Sequence, residues 1–311
     1  MEYVTLKNSD LRVSRLCVGG CPMGGYGWGV VEERDLIAAV NTALDRGINF
    51  FDTADTYGLG QSERTLGKAL GSRRGEAVIA TKFGVRVKEG GTAYDNSPGW
   101  IVTACESSLR RLKTDYIDLF QIHYRDGKTD LSAVVQTLEQ LRRQGKIRYF
   151  GLSNLQRKDL PELEHYKGSF VSLQNQYALA CREQEQDILE LSEKMEVSPM
   201  TWGSLGQGIL TGKYDKNVAF GRDDRRSREV YGNFHGEKLL KNLEIVQRLK
   251  TIAEVYGKPV SAVAIRFILD YLPGSVALCG VKGPAQVLDN AQALGWRLKQ
   301  QDVQYLEKIS R

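Results

Sequence analysis

The chain has 311 residues, 41% of them hydrophobic and 26% charged, a composition typical of a globular protein with one large α/β domain or two smaller ones. Its 43 basic and 38 acidic residues are interspersed and give a net charge of +5, which argues against nucleic acid as the main partner. Five scattered cysteines without a Cys-x-x-Cys pair argue against disulfides and zinc. With no signal core and no segment of membrane-spanning length, the sequence predicts a cytoplasmic protein without a membrane partner.

The first part of the chain predicts a hairpin, a strand and a loop. Residues 3–6 and 11–13 are apolar and flank turn-forming residues, which indicates a β-hairpin. Residues 16–18 predict a buried strand that leads into a glycine-rich loop at residues 19–29. This loop does not match Gly-x-Gly-x-x-Gly, so we prefer a flexible loop at the edge of a pocket over a Rossmann nucleotide-binding loop.

A helix followed by an apolar strand and a polar residue then recurs along the chain. The first such unit has a helical pattern from Leu36 to Leu44, a glycine at Gly47 that suits a left-handed helix end, and a short strand before Asp52. Later strands are predicted at residues 77–80, 116–122, 149–152, 170–173, 198–201 and 276–279. The helices between them are predicted at residues 62–70, 101–112, 131–141, 160–166, 188–195, 239–256 and 260–272.

Eight apolar strands, joined by helices after the first, favour one architecture. Their near-continuous apolar runs indicate parallel strands buried on both faces. We therefore predict an α/β fold, a (β/α)8 TIM barrel made of residues 1–311 as a single domain, with an N-terminal β-hairpin and extra C-terminal helices. An open doubly wound sheet is the alternative. The connection at residues 203–237 is too long for a passive linker and is expected to cover a ligand.

The residues at the carboxyl ends of the predicted strands are candidates for chemistry, because the loops of such a barrel converge there. They are Asp52, Lys82, His123, Ser153, Asn154, Gln174, Trp202 and Lys282. Each one alone is more often a turn residue, a solvated residue or a structural one. Their recurrence after several strands indicates a shared site.

Tyr57, which lies close after Asp52, completes a set that suits the reduction of a carbonyl group. A tyrosine is a poor acid at neutral pH, but an adjacent ammonium such as that of Lys82 would lower its pKa. Asp52 could pair with the buried lysine. A neutral His123 could orient a carbonyl oxygen on which negative charge develops. None of these side chains supplies a hydride, so a cofactor is required.

The motifs that contain these residues resemble the aldo-keto reductase superfamily, and the resemblance extends from Leu6 to about Ala293. The matching segments are residues 51–58 with 62–63, 80–82, 118–123, 151–154, 174–177 and 203–214, the last of which is similar to the long-loop, mostly bacterial branch. The resemblance implies that Tyr57 is the general acid/base and that His123 orients the carbonyl. It also implies that Lys82 lowers the pKa of Tyr57 and that Asp52 anchors Lys82.

The same resemblance implies a nicotinamide cofactor that lies extended across the top of the barrel. The implied cofactor-binding residues are Ser153, Asn154, Gln174, Trp202, Gly203, Ser204, Leu205, Gln207, Gly208, Lys213, Gly280, Lys282, Gln286 and Asn290. Gln286 stands where many members have an arginine for the adenosine 2′-phosphate, so Lys282 is the main basic candidate for that group. NADPH is the expected cofactor and NADH the alternative.

The resemblance also leads to a predicted pocket and activity. The predicted pocket walls are Met23, Tyr26, Trp28, Phe83 and Tyr124, and their aromatic character indicates a partly apolar site for a small-molecule carbonyl substrate. We predict reversible, NADPH-dependent reduction of an aldehyde or ketone to an alcohol, with the proton supplied by Tyr57. The alternative is a cofactor-binding regulatory subunit with slow turnover, similar to the potassium-channel β subunits. No metal is expected, since clustered His and carboxylate ligands are missing from the sequence.

Overall fold

A closed barrel of parallel strands forms the centre of the structure, which is a computed structural model that describes residues 1–89 and 91–311. The strands in chain order are β1 (Tyr3–Thr5), β2 (Arg12–Ser14), β3 (Leu16–Gly19), β4 (Phe50–Asp52), β5 (Val78–Phe83), β6 (Val85–Lys88), β7 (Gly91–Tyr94), β8 (Ile117–Ile122), β9 (Ile147–Ser153), β10 (Ser172–Gln176), β11 (Ser198–Trp202) and β12 (Val276–Gly280). The barrel runs β3-β4-β5-β8-β9-β10-β11-β12, and β12 pairs with β3 to close it. The predicted TIM barrel is confirmed, and the open sheet is wrong.

Helices surround the barrel. They are α1 (Glu33–Asp45), α2 (Gln61–Leu70), α3 (Pro98–Leu112), α4 (Leu131–Arg143), α5 (Leu160–Leu163), α6 (Glu185–Lys194), α7 (Gly236–Tyr256), α8 (Val260–Tyr271), α9 (Pro284–Ala291) and α10 (Gln300–Ile309). Local signals set their ends: the Asp130 side chain accepts a hydrogen bond from the Ser132 amide to start α4, and Gly257 ends α7 with a φ of 61°. Only a short α-helix, flanked by 3₁₀ turns, occupies the predicted helix at residues 160–166.

The alternation of side chains along each strand produces two hydrophobic layers. Phe50, Ala80 and Leu119 belong to a cluster inside the barrel, whereas Ile79 and Phe120 belong to the larger cluster between the barrel and its helices. The interior cluster also includes Leu6, Leu11 and Val13 from the N-terminal hairpin. The hairpin therefore covers the amino-terminal end of the barrel, which leaves the carboxyl end open for a site.

A hairpin and a long connection also lie at the carboxyl end of the barrel, and the sequence analysis predicted only the connection. The hairpin of β6 and β7 follows β5 directly, with Val85 paired to Tyr94, and the sequence analysis missed it. The long connection between β11 and α7 reaches across the barrel, where the Arg225 amide donates to the Gly27 carbonyl oxygen at 3.0 Å. The connection thus meets the glycine-rich loop that follows β3.

All five cysteines are free thiols. Among the described residues, no group of three His, Cys, Asp or Glu side chains is placed to hold a metal ion. Within residues 1–89 and 91–311, no helix has the length and apolarity needed to cross a membrane.

Candidate active site

A buried ion pair lies at the carboxyl end of the barrel. The Lys82 ammonium, on β5, is 2.6 Å from Oδ1 of Asp52, on β4, and also donates to the Thr53 carbonyl oxygen at 2.9 Å. The side chains of Lys82 and Asp52 are only 1% and 3% exposed. A buried charge pair is tolerated when hydrogen bonds satisfy both groups, and the partners of each group are therefore informative.

Two glutamine amides satisfy the second oxygen of Asp52. Gln174 Nε2, on β10, donates to Oδ2 at 2.8 Å, and Gln121 Nε2, on β8, donates at 3.2 Å. Sequence analysis missed Gln121, although a lone amide within an apolar strand, two residues before His123, was a usable signal. The cofactor contact that the sequence analysis expected of Gln174 stays a prediction, and the structure shows that its buried amide also holds Asp52.

Tyr57 and His123 lie beside this ion pair. The Lys82 Nζ atom is 5.2 Å from the centre of the Tyr57 ring. The centres of the Tyr57 and His123 rings are 6.1 Å apart, with the rings nearly perpendicular. The structure therefore brings together all four residues to which the sequence analysis assigned roles in the chemistry.

The loop that carries Tyr57 is fixed against the glycine-rich loop. Ser62 donates its backbone N–H to the Tyr57 carbonyl oxygen at 3.1 Å and its hydroxyl to the Gly20 carbonyl oxygen at 2.7 Å. Gly58 has a φ of +59°, and a Cβ atom at this position would lie only 2.0 Å from the Gly24 carbonyl oxygen. A glycine is thus required directly after Tyr57 for both conformation and space.

Burial sets the protonation states of Tyr57 and His123. It lowers the pKa of His123 well below 6.5, with a further contribution from the nearby Lys82 charge, so the imidazole is neutral at physiological pH. Burial raises the pKa of Tyr57 well above 10, and nearby Cys21 and Asp52 act in the same direction. The net direction is opposite to the lowered pKa that the sequence analysis expected, because desolvation disfavours the phenolate and the Asp52 charge opposes that of Lys82.

The pKa of a second aspartate in the Tyr57 loop, Asp55, is also shifted, and the sequence analysis gave this residue no role. Burial and the nearby Glu63 carboxylate raise the pKa of Asp55 to about 7. Its Oδ1 atom is buried and has no hydrogen-bond partner among the residues that the structure describes. Glu63 itself is fully buried, where it pairs with Arg111 and accepts a hydrogen bond from Thr81 at 2.7 Å.

Asn154 connects two parts of the site. Its Nδ2 donates to the His123 carbonyl oxygen, and its Oδ1 accepts from Trp202 Nε1, both at 3.0 Å. The half-exposed Trp202 indole is thereby fixed at the open end of the barrel. Ser153, by contrast, is buried and donates its hydroxyl to the Gln174 carbonyl oxygen at 2.8 Å.

The segment after Trp202 turns back sharply on the barrel. Ser204 is buried and donates its hydroxyl to the Thr201 carbonyl oxygen, so its side chain faces inward. Gln207 and Gly208 have φ values of 55° and 105°, and the Gln207 side chain accepts a hydrogen bond from Asn233. The other residues predicted to bind cofactor in this segment are partly buried or exposed: Gly203, Leu205 and Lys213.

Lys282, which follows β12, lies near other basic side chains. Lys282 donates through Nζ to the Trp28 carbonyl oxygen, and its own amide donates to Gln286 Oε1 at 2.6 Å. Burial lowers the pKa of Lys282, and the nearby Arg226 and Lys213 cations lower it further, while Asp224 opposes them. Gln286 thus supports the Lys282 backbone through this bond to the amide. Of the other residues predicted to bind cofactor here, Gly280 is exposed and Asn290 is buried in α9.

These groups fit a nicotinamide dinucleotide. The Arg226 and Lys213 cations both lie close enough to Lys282 to lower its pKa, and Asp224, which pairs with Arg226, opposes them. Such a group of cations suits phosphate. The fixed, half-exposed Trp202 indole offers a flat surface for a nicotinamide ring.

Three of the predicted pocket residues lie at the open end of the barrel. Tyr26 is 54% exposed, and its hydroxyl accepts a hydrogen bond from Arg228 at 3.1 Å. Trp28 is half-buried and packs edge-on against Tyr231, with ring centres 6.1 Å apart. Tyr124 stacks on His123. These three side chains are at least partly exposed, so their role as pocket walls stays a prediction.

The prediction that Phe83 and Met23 line the pocket is wrong. Phe83 is 0% exposed and packs on Phe120, with ring centres 4.7 Å apart. It follows Lys82 directly, so strand alternation turns it outward toward the helices. Met23 is also buried in the layer between barrel and helices. Neither side chain lines an open pocket.

Comparison with known proteins agrees with this geometry. The model of the Aldo/keto reductase family matches residues 15–311. The chain is 32% identical over 314 residues to aldo-keto reductase YhdN of Bacillus subtilis (strain 168), covering 99% of this chain and 93% of that protein. It is 33% identical to the structure of the glycerol dehydrogenase AKR11B4 from Gluconobacter oxydans, with a TM-score of 0.89 and coverage of 99% and 94%. It is 27% identical to aldo-keto reductase AKR11C1 from Bacillus halodurans (holo form), with a TM-score of 0.82 and coverage of 100% and 97%.

The family match spans all eight barrel strands, and the relatives are covered over nearly their whole length. The chain therefore belongs to the aldo/keto reductase family and is an oxidoreductase that uses a nicotinamide cofactor.

Proposed function

We propose that this protein reduces an aldehyde or ketone to an alcohol with NADPH, reversibly, and that Tyr57 supplies the proton. The observation that carries the proposal is the buried Lys82–Asp52 ion pair, 2.6 Å between charged atoms, beside Tyr57 and the neutral His123. A charged pair at such a site is costly to bury, and stabilisation of a neighbouring phenolate gives it a chemical use.

Each side chain has a separate role in this proposal. His123 and the protonated Tyr57 donate hydrogen bonds to the substrate carbonyl oxygen and orient it. As negative charge develops on that oxygen, Tyr57 gives up its proton, and the Lys82 ammonium stabilises the resulting phenolate. Asp52, held by Gln121 and Gln174, fixes the position of the Lys82 ammonium beside Tyr57. In the reverse direction the phenolate accepts the proton.

The cofactor would lie between Trp202 and the cations near Lys282. A bound reduced nicotinamide supplies the hydride that no side chain can provide. Trp202, held by Asn154, would contact the nicotinamide ring. Lys213 and Lys282 would contact phosphate groups. We propose NADPH over NADH because NADPH has an additional phosphate group that such cations can bind.

The main experiment is a turnover assay with a panel of small aldehydes and ketones, run with NADPH and with NADH and followed by the absorbance of the reduced nicotinamide. Tyr57→Phe should lower kcat by about a hundredfold or more, while NADPH still binds, as measured by fluorescence titration. The exposed Tyr305→Phe is the matched control. Unchanged turnover in Tyr57→Phe would refute the proposed proton donor, and tight binding with only slow turnover would favour the regulatory alternative.

A second experiment tests the cofactor preference. Lys282→Met should raise the Kd for NADPH about tenfold, since it removes one charged contact, and should change the Kd for NADH less. Equal changes for the two cofactors would show that Lys282 does not recognise the additional phosphate.

A further inference from the structure

Asp55 lies in the same turn as Tyr57. The Tyr57 backbone N–H donates to the Ala54 carbonyl oxygen at 3.2 Å, so Asp55 and Thr56 form the middle of a turn that ends at the proposed proton donor. Asp55 Oδ1 is buried and has no hydrogen-bond partner among the residues that the structure describes. Burying a charged oxygen without a donor costs far more than burying a neutral one. This position therefore favours the protonated carboxyl group.

Glu63, on α2, holds a second carboxylate near Asp55. The Glu63 side chain is 0% exposed, and both of its oxygens have partners: Oε1 accepts a hydrogen bond from Thr81 at 2.7 Å, and Oε2 pairs with Arg111 on α3. Arg111 also lies against the Tyr57 loop, since a Cβ atom at Gly60 would be 2.4 Å from its Cδ. Two neighbouring carboxylates disfavour each other's ionisation, so Asp55, whose Oδ1 lacks a donor, is the acid that keeps a proton.

An ionised Asp55 would act on the reacting groups. Burial is the largest cause of the raised pKa of Tyr57, and the Asp55 carboxylate is one of the nearby groups that raise it further. Arg111 and Lys82 favour the ionised form of Asp55, whereas burial and Glu63 disfavour it. In the proposed reduction Tyr57 gives up its proton, so a phenolate forms at the end of the turn that contains Asp55. A carboxylate there opposes this second negative charge, and a neutral carboxyl group does not.

We propose that Asp55 is a positioning residue whose neutral carboxyl group keeps negative charge away from Tyr57, and that loss of its proton slows carbonyl reduction. The inference rests on the proposed reductase function and adds a pH dependence to it. The pKa of Asp55 is about 7, so the change falls near neutral pH. Tyr57 and His123 do not titrate in that range, because burial holds the pKa of Tyr57 well above 10 and that of His123 well below 6.5.

The test is a single-turnover measurement of NADPH oxidation between about pH 6 and about pH 9, on enzyme loaded with one equivalent of NADPH and mixed with an excess of the aldehyde that turns over fastest. The wild-type rate should fall about tenfold as the pH rises through about 7, the size expected for one nearby charge at an effective dielectric constant of about 20. Asp55→Asn, which is neutral at every pH, should lose this fall. The matched control, Asp115→Asn, changes an exposed aspartate before β8, at the other end of the barrel, and should keep the wild-type profile.

A second variant tests the pair of carboxyl groups. Glu63→Gln removes one negative charge and leaves Arg111 without its partner. Both changes favour ionised Asp55, so the fall in rate should move to lower pH. A merely structural role of Glu63 would lower the rate at every pH and leave the profile where it is, and that result would contradict the proposed coupling.

The outcomes separate this inference from the proposed function. If the wild type reduces no aldehyde at any pH, the proposed function itself fails. If it reduces an aldehyde at a rate that is flat across the range, or if the fall persists in Asp55→Asn, only the inference about Asp55 is overturned.

Discussion

Replacing Asp55 by Asn should stabilise the protein above neutral pH, although Asp55 lies in the loop that carries Tyr57. Burial and Glu63 raise the pKa of this carboxyl from 3.8 to about 7, while Arg111 and Lys82 oppose the shift. The folded protein therefore binds this proton more tightly than the unfolded chain does. The resulting stabilisation is fully present below about pH 4 and is lost as the pH rises through about 7.

The expected magnitude follows from the same pKa. One pKa unit corresponds to about 1.4 kcal/mol, so the ionised carboxylate costs the folded state up to about 4 kcal/mol at high pH. Part of this cost is already present at about pH 5. The gain in unfolding free energy from Asp55→Asn should therefore be about 3 kcal/mol larger at about pH 8 than at about pH 5.

The assay is urea denaturation of wild type and Asp55→Asn at both pH values. The comparison between the two conditions cancels any effect of the new amide that does not depend on pH. The control is Asp115→Asn, which makes the same change at an exposed aspartate. If Asp55→Asn changes stability equally at both pH values, or more at the lower one, the reasoning about the buried carboxyl is refuted.

Three further predictions concern the residues around Tyr57. Gly58→Ala should destabilise the protein and lower kcat, because the new methyl group would overlap a backbone carbonyl. The control is Gly71→Ala, because Gly71 has a φ of +48° but open space around it. This control should lower the unfolding free energy, measured by urea denaturation, only by the backbone strain of about 1–3 kcal/mol. Asp52→Asn should lower the unfolding free energy by about 3–5 kcal/mol, because it leaves the Lys82 charge buried without its partner, and adding Lys82→Met should restore more than half of the loss. His123→Gln should lower kcat without changing the shape of its pH profile between about pH 6 and pH 8, since burial keeps the imidazole neutral there; a lost inflection in that range would contradict this.

The barrel was predictable from the sequence because its signal is redundant. Runs of apolar residues at regular intervals define parallel buried strands, and the geometry of the barrel then places Asp52, Lys82 and His123 at one end. Both faces of a barrel strand are apolar, so the apolar pattern alone does not separate inward residues from outward ones. The outward direction of Phe83 follows only once Lys82 is assigned to the site, because neighbouring residues of a strand point to opposite faces.

The hairpin of β6 and β7 was missed for a different reason. Its strands have four residues each and include exposed charged and polar side chains. Part of its support comes from Asn96, which bonds to the segment at residues 124–126. The raised pKa of Tyr57 could not be predicted from the sequence, because it depends on desolvation, which is a property of the folded surroundings rather than of sequence spacing.

The Asp52 carboxylate has a consequence for how this enzyme could change. Side chains from β5, β8 and β10 all bond to it, so one functional group joins four strands across the interior of the barrel. A substitution of Asp52 that alters the proton chemistry would therefore also weaken the barrel. The hairpin of β6 and β7 takes no part in those bonds, so substitutions at that part of the rim should leave the contacts of Asp52 intact.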